Sequence, residues 1–127
     1  MIPKIGINFV PLHHEVLLDG CVLAESLGFE SVWMGEHVLT PADDASHYPG
    51  EKKPFDSDSP FLDPLVALGH IAARTTALRL GTGILMATVR EPFVTIRALA
   101  TLDALSGGRL DAGLGLGWSM EEYSIIG

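Results

Sequence analysis

The sequence predicts an α/β fold with a parallel sheet, and three observations predict it. Four short β-like runs alternate with amphipathic helical runs along the chain. The strands recur at intervals of about thirty residues, the length of a right-handed βαβ unit. Helix start and stop signals fall at the joins between the runs.

The first strand is KIGINFV, Lys4 to Val10, and a helix follows over roughly His13 to Leu27. Leu17, Cys21, Ala24 and Leu27 recur there at helical spacing, and Gly28 stops the helix. ESVWMG, from Glu30, is the second strand. The second helix has a clear start, with Asp63 as N-cap and Pro64 at the first helical position. Leu65, Leu68, Ala72 and Thr75 then share a face. LRLGTGIL, Leu78 to Leu85, is the third strand. The third helix begins at Pro92, shows Val94, Ala98, Leu102 and Leu105 on one face, and ends at Ser106-Gly107-Gly108. RLDAGLGLG, from Arg109, is the fourth strand, and another helix begins in MEEYSIIG.

Between the second strand and second helix the pattern breaks. The stretch from Glu36 to about Leu62 holds five prolines or glycines, several Asp and Ser, and little periodicity. A loop this long in a compact domain is usually functional. It leaves the carboxyl end of a strand, where parallel α/β proteins place their ligands. Four βα units suit an open doubly wound sheet or half of a closed (β/α)8 barrel, which needs about 250 residues. The expectation is half of something larger.

With 127 residues the chain suits one domain; it is 47% hydrophobic and 19% charged, a globular composition. A net charge of −8 and the lack of a basic run argue against a nucleic-acid surface. No apolar run approaches the roughly 18 residues of a membrane span, and the N-terminus lacks the pattern of a signal peptide. The lone Cys21 cannot form an internal disulfide. A soluble, cytoplasmic protein is expected, with no membrane partner.

The glycines of SGGRLDAGLGLGW pose the central question, because glycine gives a strand nothing to pack. A G-x-G-x-x-G dinucleotide fingerprint fails: from Gly113 the third position is Trp118, and from Gly115 it is Met120. At period two, Leu110, Ala112, Leu114 and Leu116 share one face, and Asp111, Gly113, Gly115 and Gly117 the other. The third strand repeats this with Gly81 and Gly83, making a shallow glycine-lined floor. Close packing and close approach of a flat ligand both explain the inner glycines. Near the strand ends, at Gly83 and Gly117, a ligand is expected.

Glu36-His37 ends the second strand, where a carboxylate and an imidazole suit proton transfer. Adjacent strand residues face opposite ways, so the two need not touch. A His at a loop entrance is also an ordinary surface residue. His13, His14, His47 and His70 show no metal-ligand spacing and read as structural or solvated; no metal is expected. Trp33 and Trp118 read as core or pocket wall.

Four stretches together resemble the luciferase-like monooxygenase superfamily, in its coenzyme F-420-dependent oxidoreductase branch. They are AESLGFESVWMGEHV (24–38), LRLGTGIL (78–85), ATLDALSGGRLDAGLGLGW (100–118) and EEYSIIG (121–127). The resemblance covers nearly the whole chain in order. It implies a TIM barrel, here its first four βα units over residues 1–127, as an N-terminal fragment or a truncated relative. It implies hydride transfer with a flat tricyclic cofactor, coenzyme F-420 or alternatively FMN, and a small-molecule substrate. Glu36 and His37 match an acidic residue and a base that line the ring, though the acid is Asp in several members. Gly83-Ile84 matches a bulge beneath the central ring, with a cis peptide expected there. Trp118 to Glu121, next to Gly117, matches a cofactor- or substrate-facing segment. Met120 stands near the place of a dehydrogenase acid, which argues against sugar-phosphate oxidation. Unpaired edges at strands one and four imply aggregation or a homo-oligomer. An FMN-dependent monooxygenase and a non-catalytic flavin- or deazaflavin-binding half-barrel are the competing functions.

Overall fold

The computed structural model describes residues 3–9, 13–42, 48–50 and 53–127. The element order is β1 (Gly6–Phe9), α1 (His14–Ser26), β2 (Ser31–Met34), α2 (Pro64–Ala72), β3 (Arg79–Met86), α3 (Pro92–Ser106), β4 (Leu110–Gly115) and α4 (Met120–Ile126). Every expected element forms within about three residues of its expected bounds. Val10 and His47 lie outside the described residues.

The strands pair in parallel in the order β1-β2-β3-β4, as consecutive βα units of a (β/α)8 fold do. Register runs from Gly6 against Ser31 to Ser31 against Arg79, and Leu80 lies against Leu110. It shifts between Thr82 and Leu85 of β3, placing a bulge there. β1 and β4 form the two edges of the sheet.

The core lies between the sheet and the helices on one side of it. Leu17, Cys21 and Ala24 from α1, Ala67, Leu68 and Ile71 from α2, and Leu102 from α3 pack on Val32, Met34, Leu78 and Leu80. Cys21 is fully buried, and burial pushes its thiol up to about 11.

Two helices bury faces that match the expected ones only in part. In α2 the expected Leu68 is fully buried and Leu65 and Ala72 pack partly buried against the core, but Pro64, Ala67 and Ile71 are buried as well. PLVALGHIA is apolar nearly all round, so periodicity does not select its inner face. Thr75 is buried beyond the helix end, where its Oγ1 donates to Ile71 O at 2.8 Å. In α3 the inward residues are Thr95, Leu102 and Ser106, while Val94 and Leu105 are exposed. Small polar side chains bonded to their own helix let α3 approach closely: Thr95 Oγ1 donates to Glu91 O, and Ser106 Oγ to Asp103 O. Leu27, Leu114 and Leu116 are also exposed, so the apolar face of the fourth strand is only partly covered.

The end of the sheet where the strands begin is stitched by two charged side chains. Arg109 donates to Ser106 O, Thr75 Oγ1, Leu78 O and Ala72 O, tying the ends of α2 and α3 to β3. Glu25 accepts from the backbone N–H groups of Thr76, Ala77 and Leu78 at 2.8, 2.6 and 2.9 Å. The opposite end, where the strands finish, holds a cavity.

Candidate active site

Close approach of β2 and β3 starts the site. A side chain at Gly35 would meet Gly83 O at 3.2 Å, a tight contact that would push the two strand ends apart by a few tenths of an ångström. Glu36 N donates to Ile84 O at 3.1 Å across the same junction. The Gly83-Ile84 peptide is cis, at the place the resemblance implies.

Glu36 turns away from His37. Its carboxylate is almost fully buried and accepts from Met86 N at 2.7 Å through Oε2. Oε1 accepts from Arg90 Nε at 2.8 Å and from Arg90 Nη2. Arg90 Nη2 also donates to Asp63 Oδ2 at 2.7 Å, while Asp63 Oδ1 caps α2 by accepting from Leu65 N and Val66 N. The Glu36 bond raises the Arg90 pKa further above its ordinary range. Burial opposes the charge on Asp63, yet Arg90 and the two backbone N–H groups hold its carboxyl below the usual range. Glu36 is thus the buried end of an ion-pair chain that runs through Arg90, after β3, to the exposed cap of α2.

The carboxylate that holds His37 comes from α4. Ser119 caps that helix, its Oγ accepting from Glu122 N at 3.2 Å. Glu122 is fully buried, with Oε2 at 2.8 Å from His37 Nδ1. Its Oε1 accepts from Val38 N at 2.6 Å and Leu39 N at 3.2 Å. The carboxylate that biases the imidazole is therefore Glu122 and not Glu36, whose own oxygens are taken up by Met86 N and Arg90. Among the described residues, none hydrogen-bonds His37 Nε2.

Aromatic rings enclose the imidazole. The rings of Phe55 and Phe61 lie 4.9 Å from it, centroid to centroid, and that of Trp118 lies 5.6 Å away. Tyr48 packs edge-on against Trp118 at 5.4 Å. The long loop therefore folds back over the strand ends, and it supplies three of these rings.

Together these groups line a cavity of about 270 Å³, just below the roughly 300–1,000 Å³ of small-molecule sites. Glu36, His37, Gly83, Ile84, Gly117 and Trp118 all line it, so the structure gathers every expected site residue. Asn8, Phe9, Gly35 and Met86 complete the walls with residues of the loop.

The glycine floor divides into two kinds. At Gly81 the Trp33 ring occupies the space a side chain would need, and at Gly113 the Thr82 carbonyl does. At Gly115 a Cβ would meet Ile84 Cδ1 at 2.9 Å. These glycines are packing residues, and the floor there is not bare. Gly117 lines the cavity, but its φ of +89° already calls for glycine whether or not a ligand lies there. Gly83 alone is exposed with room beside it: a Cβ would find Trp33 Cε3 no closer than 3.6 Å.

Sequence reasoning missed Glu122, Arg90 and the aromatic residues of the loop. Ser119-x-x-Glu122 reads as a capping box, which does signal a helix start. In a capping box the Glu returns to the cap, whereas here it crosses to the segment after β2.

No helix among the described residues is long and apolar enough to cross a membrane. Among them, no cluster of His, Cys, Asp and Glu could hold a metal ion.

Comparison with known proteins agrees with the fold. An uncharacterized protein of Mycobacterium tuberculosis is 37% identical over 103 residues, covering 79% of this chain and 36% of that protein. The F420-dependent glucose-6-phosphate dehydrogenase of Beutenbergia cavernae is 37% identical over 110 residues, covering 86% of this chain and 29% of the enzyme. The chain thus spans about a third of the length of the curated relatives it matches. Monooxygenase RslO1 from Streptomyces bottropensis superposes with a TM-score of 0.77 at 30% identity, covering 98% of this chain and 36% of that one. The coenzyme F420-dependent tetrahydromethanopterin reductase of Methanopyrus kandleri gives 0.66 at 27% identity, covering 90% and 27%. With the profile of luciferase-like monooxygenases matching residues 14–127, the chain belongs to that family.

Proposed function

We propose that this chain carries part of the active site of an oxidoreductase that transfers a hydride between the deazaflavin coenzyme F-420 and a small organic substrate. The observation that carries the reading is His37: its Nδ1 is fixed by a buried carboxylate, and its ring lines an aromatic-walled cavity. Likeness to relatives named as F420-dependent dehydrogenases and to an F420-dependent reductase supports the choice of cofactor.

The residues present fit a flat ring. Gly35, Gly83 and Gly117 offer backbone rather than side chains to the cavity, and a Cβ at Gly83 would meet Trp33 only at ordinary contact distance. Gly83, Ile84, Gly117 and Trp118 would hold the ring. Bound there, the deazaflavin supplies a two-electron hydride acceptor or donor.

On an alcohol substrate, His37 takes the hydroxyl proton at Nε2. Phe55, Phe61 and Trp118 exclude water from that proton and keep the local dielectric low. Glu36 and Arg90 take no part in the transfer; they hold the ends of β2 and β3 at the spacing the cavity needs.

The test is spectrophotometric. In an intact protein that contains this segment, oxidised F-420 with a panel of small alcohols is expected to lose its absorbance in a substrate-dependent way, without oxygen uptake. Oxygen uptake with reduced FMN and substrate would instead establish the FMN-dependent monooxygenase. Binding of either cofactor without turnover would establish a non-catalytic half-barrel.

A further inference from the structure

The geometry points to Glu122 as a positioning residue that sets the tautomer of His37, an assignment that rests on the proton-transfer role proposed for that histidine. Oε1 of Glu122 faces two backbone N–H groups, those of Val38 and Leu39, at 2.6 and 3.2 Å. Oε2 faces His37 Nδ1 at 2.8 Å. An ionised carboxylate only accepts, so the proton of neutral His37 lies on Nδ1. Nε2 is then the bare nitrogen. A base in this cavity must have that tautomer, and nothing else among the described residues selects it.

The arrangement is directional in a way a purely structural anchor is not. Glu122 is fully buried and grips three consecutive residues, so its orientation is fixed from both oxygens. A Gln at this position has one acceptor and one donor end. Its oxygen must face Val38 N and Leu39 N, because turning the NH2 toward them sets donors against donors. The NH2 then faces His37 Nδ1, which must accept, and the imidazole proton moves to Nε2. Glu122→Gln keeps the two backbone bonds and reverses the tautomer.

The experiment is nitrogen NMR of the protein labelled with ¹⁵N-histidine, on the basic side of the imidazole titration, with the His37 signals identified by their loss in His37→Asn. Wild type is expected to show a protonated Nδ1 and a bare Nε2, and Glu122→Gln the reverse. Turnover of the F-420 assay in Glu122→Gln is expected to fall by on the order of 10²-fold in kcat with KM little changed. A wild-type His37 protonated on Nε2 overturns the assignment without any substitution. An unchanged tautomer in a folded Glu122→Gln overturns it too. Tautomers as expected with undiminished turnover would uphold the positioning by Glu122 and overturn the proton-transfer role of His37, so the two failures are distinguishable.

Discussion

The indole of Trp33 occupies the space that a side chain at Gly81 would need, whereas a side chain at Gly83, two residues on, meets the same ring only at ordinary contact distance. Trp33 is held in place by its Nε1–H, which donates to Ser31 Oγ at 3.0 Å. Two glycines of one strand therefore differ in kind: one is required by the protein, the other leaves room for something else. Gly81→Ala is expected to destabilise the fold by about 1–3 kcal/mol through overpacking, while Gly83→Ala leaves stability almost unchanged. Gly83→Val is expected to weaken F-420 binding with the fold intact. Urea denaturation and cofactor titration of the three variants check this; equal stability losses at Gly81 and Gly83 would contradict it.

The Glu36–Arg90 pair makes a second prediction, on stability rather than binding. Glu36 is 3% exposed and Arg90 21%, so removing the cation leaves a buried carboxylate with only Met86 N as partner. Breaking such a pair from one side costs roughly 3–5 kcal/mol, because the remaining charge is uncompensated. Arg90→Gln is expected at the lower end of that range, and Glu36→Gln lower still, since Arg90 keeps Asp63 and some access to water. The double variant should recover part of the Arg90→Gln loss. Denaturation midpoints of the three variants form the cycle, and strictly additive losses would show that the pair does not act as one.

The order and type of every element were legible because each rests on local chemistry. The Asp63-Pro64 start, the Gly28 and Gly107 stops and the period-two strands need no tertiary information. The inner faces of α2 and α3 were legible only in part, at Leu68 and Leu102, because both helices carry apolar residues on more than one side. At the site, His37, Gly83, Ile84, Gly117 and Trp118 were readable from position at strand ends together with the family resemblance. Glu122 was not, since 85 residues separate it from His37 and only the βα repeat brings α4 over the end of β2. Nor were the roles of the glycines: whether Trp33 or a ligand fills the space is decided by a side chain on the neighbouring strand.

Glu25 supplies a prediction with a pH signature. Burial opposes its charge, but the backbone N–H groups of Ala77, Leu78 and Thr76, with nearby Arg109, hold its carboxyl below its ordinary 4.5. A carboxyl lowered by folding contributes stability that is present above its unfolded pKa and lost as pH falls through its folded pKa. Wild type should therefore melt higher than Glu25→Gln at neutral pH, and the gap should close as the solution is acidified below about 4. Melting temperatures of the two proteins between pH 7 and pH 3 provide the measurement. A gap that stays constant to pH 3 would mean that the carboxylate is missed for its packing and not for its charge.

His37→Asn separates the two nitrogens of the imidazole. The Asn amide NH2 takes the place of Nδ1–H and can still donate to Glu122 Oε2, so the buried carboxylate keeps a partner. What disappears is Nε2, the nitrogen that takes the substrate proton in the proposed reaction. A positioned base contributes about 10² to 10⁴ in rate, and kcat of the F-420 assay is expected to fall by that factor. Cofactor affinity and melting temperature should change little, because the Val38 and Leu39 bonds to Glu122 remain. His37→Ala should lose as much turnover and also stability, by about 1–3 kcal/mol, since Glu122 is left with one unsatisfied buried oxygen. The contrast between the variants distinguishes a base from a structural histidine. If Asn restores turnover that Ala abolishes, His37 serves only to satisfy Glu122, and the proton must go elsewhere. If both variants lose kcat alike while only Ala loses stability, the chemistry resides in Nε2.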